Sequence, residues 1–219
     1  MFNVFFNFLV TKTTFRPNLC TCKEGDKLMH SFSDRWVKYF FTLAKDVSDQ
    51  SKDPSTKVGC VVVDDEKRIL ATGYNGFPRQ MRDNMERYFD RNFKLQHVVH
   101  AEANAICQAA SSGVSFKNST IFITLQPCIE CSKLIIQSGI KEIHFLRDEE
   151  ADARREKALQ EKDESVLNDW RTTKEEALKM LIECRITVYC HYVISDSNSI
   201  SIYKSRKYDF NATGDLVLS

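Results

Sequence analysis

Two short segments that lie far apart in the sequence carry side chains that bind metal ions, and this pairing constrains the fold most. The first segment contains His100 and Glu102, and the second contains Pro127, Cys128 and Cys131. If Pro127 opens a helix, both sulfurs lie on one side of its first turn, where free N–H groups and the helix dipole favour thiolates. One imidazole and two thiolates leave a fourth tetrahedral position for water, which is typical of a catalytic zinc site.

Glu102 is the acidic residue next to this ligand set. Residues two apart on a helix point in different directions, so we expect His100 to be a ligand and Glu102 to be a separate proton carrier. The alternative is a core histidine together with a redox pair or a structural half-site, which a C-x-x-C motif alone would favour. The proline, the upstream His-Ala-Glu and the helix-strand pattern between the segments favour the metal site.

Length and charge limit the kinds of partner. A chain of 219 residues is long enough for one domain with a sizeable core. The formal net charge of +1 provides no global basic field for long nucleic acid, so a small substrate is expected. Of the eight cysteines, Cys60 and Cys107 lie in apolar patterns and are predicted to be small core residues. The small share of cysteine and the predicted burial of these thiols indicate a reducing compartment and a cytoplasmic location.

The N-terminal segment begins with an apolar run at residues 2–10. Asn3 and Asn7 interrupt the run, no basic residue precedes it, and it is too short to span a bilayer. We expect neither a signal peptide nor a membrane anchor. The predicted organisation is a poorly ordered extension at 1–30, a metal-binding domain at 31–192 with a charged insertion at 148–172, and a C-terminal tail at 193–219.

Hydrophobic periodicity predicts an α/β fold. After a helix that Ser31 or Ser33 can cap, residues 58–63 and 68–74 form a hairpin, and a helix then runs from about His100 to Gly113. The pattern continues with a strand, a helix and a strand at residues 120–146, which predicts a right-handed βαβ unit with parallel strands. The cysteines then follow the carboxyl end of a strand, where open α/β sheets bind ligands. The tail is weakly patterned, with one added strand predicted at 200–203.

Several motifs together carry a resemblance to a known family. H-x-E followed by P-C-x-x-C is the known signature of zinc-dependent nucleobase deaminases. The chain also contains Ser-Lys-Asp-Pro-Ser-Thr at 51–56, Gly-Tyr-Asn-Gly-Phe-Pro at 73–78, His-Ala-Glu-Ala-Asn-Ala-Ile at 100–106 and the segment 127–141. With these stretches it resembles the deoxycytidylate (dCMP) deaminase family of the cytidine deaminase superfamily, closely over 33–147 and loosely over 172–192.

The resemblance implies a fold, an activity and a set of site residues. The implied fold is a three-layer α/β/α sandwich around a five-stranded mixed sheet, in a homo-oligomer that is often a hexamer. The implied reaction is hydrolytic deamination of dCMP to dUMP with release of ammonia, which supplies dUMP for thymidylate synthesis. Carried over position by position, the zinc ligands are His100, Cys128 and Cys131, the proton shuttle is Glu102, and a sugar contact is Asn75.

The chain departs from the family pattern at two places. In many members, a loop with glycine after Pro-Arg belongs to a site where dCTP activates and dTTP inhibits the enzyme. This chain has Gln80 at that position, and its charged insertion falls where the family tends to be short. The resemblance implies regulation by dCTP and dTTP, and the glutamine bears on that regulation more than on catalysis.

Basic residues near the predicted sugar contact are candidates for holding a phosphate. Lys52 precedes the first strand, and Arg79 and Arg82 follow the second, on loops expected to meet near the metal site. A nucleotide deaminase must stabilise about two negative charges, most readily with Lys or Arg side chains. These three residues are therefore the predicted phosphate contacts, although any single surface arginine is more often solvated.

Two alternatives remain for the function. Another base deaminase of the superfamily, acting on tRNA adenosine, cytidine or guanine, would share every zinc residue. The near-neutral charge and the motifs at 51–56 and 73–78 argue against it. A protein that keeps zinc only as a structural staple is the non-enzymatic alternative, but it would need no carboxylate at Glu102.

Overall fold

The computed structural model describes residues 32–161, 164–196 and 199–219. Within these ranges the chain forms one mixed sheet between helical layers. The strands are β1 (Gly59–Val63), β2 (Ile69–Tyr74), β3 (Thr120–Ile123), β4 (Glu142–Arg147), β5 (Thr187–Asp196), β6 (Ser199–Phe210) and β7 (Leu216–Leu218). The helices are α1 (Asp34–Ser48), α2 (Met85–Phe89), α3 (Arg91–His97), α4 (Ala101–Ser112), α5 (Ile129–Ser138), α6 (Glu149–Gln160) and α7 (Glu164–Glu183).

The sheet order is β2-β1-β3-β4-β5-β6-β7. Strands β1 and β2 form the predicted antiparallel hairpin, and β3 and β4 are parallel, as predicted for the βαβ unit. Strand β5 is parallel to β4, while β6 and β7 follow in antiparallel order. The prediction of a mixed α/β sheet is therefore confirmed.

The predicted number of five strands is wrong, because the described part of the chain contains a seven-stranded sheet. The two additional strands come from the predicted tail, where β6 is much longer than the short strand expected at 200–203. The alternation of apolar and polar residues at 199–202 is interrupted by four polar residues at 204–207, so the sequence predicts only a short strand there. Backbone pairing with β5 is what makes this polar segment extended.

Helices cover both faces of the sheet. On one face, α1 packs Phe40, Phe41 and Ala44 against strand residues such as Phe122. On the other face, α4, α5 and α7 bury a second apolar cluster that includes Ala105 and Ile135. The predicted core position of Cys60 is confirmed, whereas that of Cys107 is wrong, because its side chain is exposed on α4. Only the α4 and α5 face carries the zinc-ligand segments.

A chain of hydrogen bonds between buried polar side chains crosses the sheet on the α1 face. His144 Nε2 lies 2.8 Å from Glu142 Oε1, and His144 Nδ1 lies 2.8 Å from His191 Nε2. His191 Nδ1 lies 2.8 Å from Ser205 Oγ. Both imidazoles are fully buried, and Phe122 stacks on the His144 ring. These bonds connect β4, β5 and β6.

The remaining predictions concern segments outside this core. The predicted N-terminal extension at 1–30 lies outside the described residues. The charged insertion begins as helix α6, which is one of the two states considered for it, and continues into α7. The segment at 79–97 contains two short helices, α2 and α3. In the described part of the chain, no helix combines the length and apolar character needed to cross a bilayer.

Candidate metal centre and active site

The three predicted zinc ligands lie at the start of two helices. His100 is the residue that precedes α4, with an extended backbone (φ −72°, ψ 158°), and Cys128 holds the same position before α5 (φ −76°, ψ 170°). Cys131 lies in the first turn of α5, and its backbone N–H donates to Cys128 Sγ across 3.5 Å. The helix after Pro127 therefore brings both sulfurs to one side, as the spacing predicts.

The distances between these side chains fit a zinc ion. His100 Nδ1 lies 3.5 Å from Cys128 Sγ and 3.5 Å from Cys131 Sγ. Zn–N bonds of about 2.05 Å and Zn–S bonds of about 2.3 Å at tetrahedral angles place nitrogen and sulfur roughly 3.5 Å apart. Among the described residues this is the one cluster of three side chains that could hold a metal ion, with all three ligand atoms within 4.8 Å of one another.

The electrostatics of the two cysteines also suit a metal. Hydrogen bonding from the Cys131 thiol and from His100 lowers the pKa of the Cys128 thiol, although burial opposes this change. The pKa of Cys131 is raised, because its proton is held by the Cys128 sulfur and its side chain is buried. These hydrogen bonds thus favour the thiolate form of Cys128. A bound cation takes the place of thiol protons, since thiolates are the ligands.

Glu102 lies in the first turn of α4, two residues after the predicted ligand His100. Its side chain is buried, with 4% exposure. Burial raises the pKa of its carboxyl, while its own backbone N–H and the His100 imidazole oppose this rise. Its interaction with the Cys131 side chain places the carboxyl next to the ligand cluster. A buried carboxyl beside the metal ligands has the position that a proton carrier requires.

Asn75 follows β2, and its side-chain amide is held by the backbone of the neighbouring loop. Its Oδ1 accepts from the Val58 N–H at 2.8 Å, and its Nδ2 donates to the Thr56 carbonyl at 2.9 Å. The next residue, Gly76, exchanges two backbone hydrogen bonds with Val99, which directly precedes His100. The structure therefore brings the predicted sugar contact close to a predicted zinc ligand along the backbone. Its contact with a sugar stays a prediction.

The predicted phosphate contacts lie on loops that meet. Lys52 Nζ forms an ion pair with Asp83 Oδ2 at 3.1 Å, which joins the loop at 51–56 to the segment that contains Arg79 and Arg82. Both arginines are exposed, and neither has an acidic partner within the described residues. Their role in binding phosphate stays a prediction.

Gln80, the departure from the family's glycine, adopts a left-handed backbone conformation with φ 68°. Glycine reaches this region at little cost, whereas other L-residues lose roughly 1–2 kcal/mol there. Gln80 therefore adopts a conformation that glycine would adopt more easily, at some cost in backbone strain.

Comparison with known proteins assigns the chain to a family. A family model described as the cytidine and deoxycytidylate deaminase zinc-binding region matches residues 34–147, about half of the chain. The chain belongs to this family. The matched region contains His100, Cys128 and Cys131, so the zinc that the family binds has a candidate site in this chain with a fitting ligand set.

Individual proteins are also similar to this chain. A Drosophila melanogaster protein named probable deoxycytidylate deaminase is 42% identical over 127 residues, which cover 53% of this chain and 62% of that protein. The human deoxycytidylate deaminase is 37% identical over 140 residues, covering 61% of this chain and 74% of the human protein. Thus the match spans less than two thirds of the Drosophila protein. The apo crystal structure of dCMP deaminase from cyanophage S-TIM5 is 32% identical with a TM-score of 0.46, covering 52% of this chain and 84% of that chain.

Two features of the candidate site were not found by sequence reasoning. Asn104 Nδ2 donates to the Tyr74 carbonyl at 2.8 Å, which ties α4 to the end of β2. A buried ion pair between Lys94 and Asp53 joins α3 to the loop at 51–56. Asn104 belongs to the motif at 100–106 and could have been considered there. The second pair joins residues 41 positions apart, and no local pattern marks such a contact.

We predict that the protein contains one zinc per chain and that Cys128→Ala removes it, because the variant loses one of three ligands. Elemental analysis of the purified proteins measures this directly. Cys107→Ala is the matched control, since Cys107 is an exposed cysteine on α4, and it should retain full zinc. A zinc-free wild-type protein, or full zinc content in Cys128→Ala, would contradict the assignment.

Proposed function

We propose that this chain is a zinc-dependent dCMP deaminase, which hydrolyses dCMP to dUMP and ammonia and thereby supplies dUMP for thymidylate synthesis. The observation that carries the proposal is the cluster of His100, Cys128 and Cys131 beside the buried carboxyl of Glu102. Family membership and the names of the relatives support the choice of reaction.

The chemistry assigns a role to each group of the site. His100, Cys128 and Cys131 would hold the zinc, which would lower the pKa of water toward about 7. Glu102 accepts a proton from the water that adds to C4 of cytosine and delivers it to N3. The C4–N bond then breaks, and Glu102 passes a second proton from the added oxygen to the departing amine. Ammonia leaves and the C4 oxygen stays in uracil, so the atoms of one water and one cytosine are all accounted for.

The nucleotide contacts complete the proposal. Asn75 contacts the sugar, and Lys52, Arg79 and Arg82 hold the 5′-phosphate. The Lys52–Asp83 ion pair supports this arrangement because it brings the two loops together, although Asp83 also neutralises part of the lysine charge. Arg79 and Arg82 are therefore the stronger of these candidates.

The broader properties follow from the family. We place the enzyme in the cytoplasm as a homo-oligomer, with a hexamer as the expected size, and with regulation by dCTP and dTTP. The left-handed conformation of Gln80 supports a family-like turn in the loop that this regulation uses.

An assay of ammonia release tests the function. Purified zinc-loaded protein is incubated separately with dCMP, dCTP, deoxycytidine, guanine and tRNA. The proposal expects dCMP to give the highest kcat/KM. A preference for tRNA or guanine would indicate another branch of the superfamily. Inactivity on all five substrates would indicate that zinc has only a structural role.

We predict that deoxycytidine has a kcat/KM at least about 10²-fold below that of dCMP, since two charge-assisted hydrogen bonds to phosphate are worth roughly 1.5–3 kcal/mol each. The double variant Arg79→Gln with Arg82→Gln should reduce this difference in kcat/KM, mainly by lowering kcat/KM for dCMP. Arg35→Gln, on the exposed surface of α1, is the control and should keep the wild-type ratio. Equal kcat/KM for the nucleoside and the nucleotide in the wild-type enzyme would contradict the prediction.

A further inference from the structure

A buried ion pair connects α3 to the loop at residues 51–56. Lys94 Nζ lies 3.1 Å from Asp53 Oδ2 and 3.2 Å from Asp53 Oδ1, and it also donates to Ser55 Oγ. The Lys94 side chain is only 13% exposed and the Asp53 side chain only 4%. The ammonium thus has one carboxylate and one hydroxyl as partners, and both belong to this loop. Asp53 therefore compensates the charge of Lys94.

Asp53 organises the backbone of this loop. Its Oδ1 accepts from the Ser55 N–H at 2.9 Å, from the Ser55 hydroxyl at 2.8 Å and from the Thr56 N–H at 3.2 Å. Burial disfavours the ionised carboxyl, but these hydrogen bonds and the Lys94 charge hold its pKa below the usual value. The carboxylate thus fixes the turn at 53–56, and Lys94 compensates its charge.

The turn at 53–56 also orients Asn75. The Thr56 N–H donates to Asp53, and the Thr56 carbonyl accepts a hydrogen bond from the side-chain amide of Asn75. Ser51 Oγ donates to the Asn75 carbonyl at 2.8 Å. The side chain and backbone of Asn75 are therefore held by the same loop that Lys94 attaches to α3, and Gly76 continues this connection to Val99 beside His100.

The Lys94–Asp53 ion pair is largely buried, and such burial is weak evidence for a gain in stability. Removing two charges from water costs free energy that their attraction often fails to recover, and an apolar pair of similar volume is frequently as stable. What a buried pair supplies is a defined geometry. Here the ion pair fixes the turn at 53–56, and this turn holds the side-chain amide of Asn75.

We propose that Lys94 is a positioning residue for nucleotide binding, which acts through Asp53 and the turn at 53–56 to fix the Asn75 amide next to the zinc ligand His100. The inference rests on the proposed function, because it assigns Lys94 to the sugar side of the same site. Lys94 contacts neither substrate nor metal, so its removal affects the fit of the nucleotide more than the chemical step.

The experiment compares wild-type enzyme with Lys94→Met, Lys94→Arg and the double variant Lys94→Met with Asp53→Asn. Lys94→Met should raise KM for dCMP about tenfold, the size of one misplaced hydrogen bond, with kcat within about threefold and unchanged zinc content. Lys94→Arg should recover part of the loss. Hydrogen exchange of the backbone amides at 51–58 should speed up in Lys94→Met, because the turn loses its attachment. Lys45→Met is the matched control, since Lys45 forms an exposed ion pair with Asp49.

The outcomes separate this inference from the function. A wild-type enzyme that is inactive on dCMP contradicts the proposed function. An active wild type with unchanged KM and unchanged exchange in Lys94→Met overturns the positioning role, as does a loss confined to kcat or zinc content. If Lys94→Met fails to fold, the double variant decides, because Asp53→Asn removes the unpaired charge and keeps an acceptor for the turn. A wild-type KM in the folded double variant would then overturn the inference.

Discussion

Replacing Glu102 by glutamine is expected to reduce kcat for dCMP by roughly 10²–10⁴-fold, the range for a positioned acid–base group. The loss falls at the upper end because the carboxyl acts on two proton transfers, and glutamine can make neither. The amide has nearly the same size, so the zinc ligands stay in place and the metal content should match wild type. Steady-state ammonia release together with elemental analysis measures both quantities.

Glu130→Gln is the matched control for this change. Glu130 lies in the first turn of α5, close in sequence to both cysteines, but its side chain is 74% exposed and pairs with Lys133 on the surface. The same change of charge and shape there should leave kcat within about twofold, as expected for an exposed ion pair of small energetic value. Activity of Glu102→Gln within a few-fold of wild type would remove Glu102 from the mechanism.

Gly73→Ala adds one methyl group, which is expected to destabilise the fold and to impair the active site. A Cβ at this position would lie 2.2 Å from the Ala101 carbonyl oxygen and 2.8 Å from the Ala105 nitrogen. Both contacts are with helix backbone, so α4 would have to move away from β2. Overpacking of this kind costs typically about 1–3 kcal/mol. Since α4 begins directly after His100 and carries Glu102, the shift should also lower kcat.

Thermal unfolding and steady-state kinetics test this expectation. The reference variant is Gly76→Ala, three residues further along, where the nearest atom to a new Cβ is Tyr88 Oη at 3.8 Å. That variant should unfold near the wild-type temperature. A Gly73→Ala protein that is as stable as Gly76→Ala would show that α4 does not pack as closely on β2 as described.

The zinc-ligand set could be predicted from sequence because its geometry is mostly local. Cys128 and Cys131 lie within one helical turn, and the start of a helix after Pro127 is a short-range signal. Only the approach of His100 to this turn needs the tertiary fold, and it was expected from the known H-x-E and P-C-x-x-C signature. The spacing therefore contained most of the information about the metal centre.

Other features depended on contacts that a sequence pattern does not contain. The polar residues Glu142 and His144 alternate with apolar ones on β4, which usually indicates a solvent-facing side. Here α1 and its aromatic residues cover that side. Likewise, the pairing of Lys94 with Asp53 depends on how α3 folds back on the loop, and the strands of the tail depend on pairing with β5.

The buried hydrogen bonds from Glu142 through His144 and His191 to Ser205 have a direction. With the carboxylate ionised and both imidazoles neutral, Glu142 can only accept, so His144 donates from Nε2 and accepts at Nδ1. His191 must then donate from Nε2, and its Nδ1 accepts from the Ser205 hydroxyl. A slip of β6 by one residue would turn Ser205 to the opposite face and break its hydrogen bond with His191. These directed hydrogen bonds therefore stabilise one register across β4, β5 and β6.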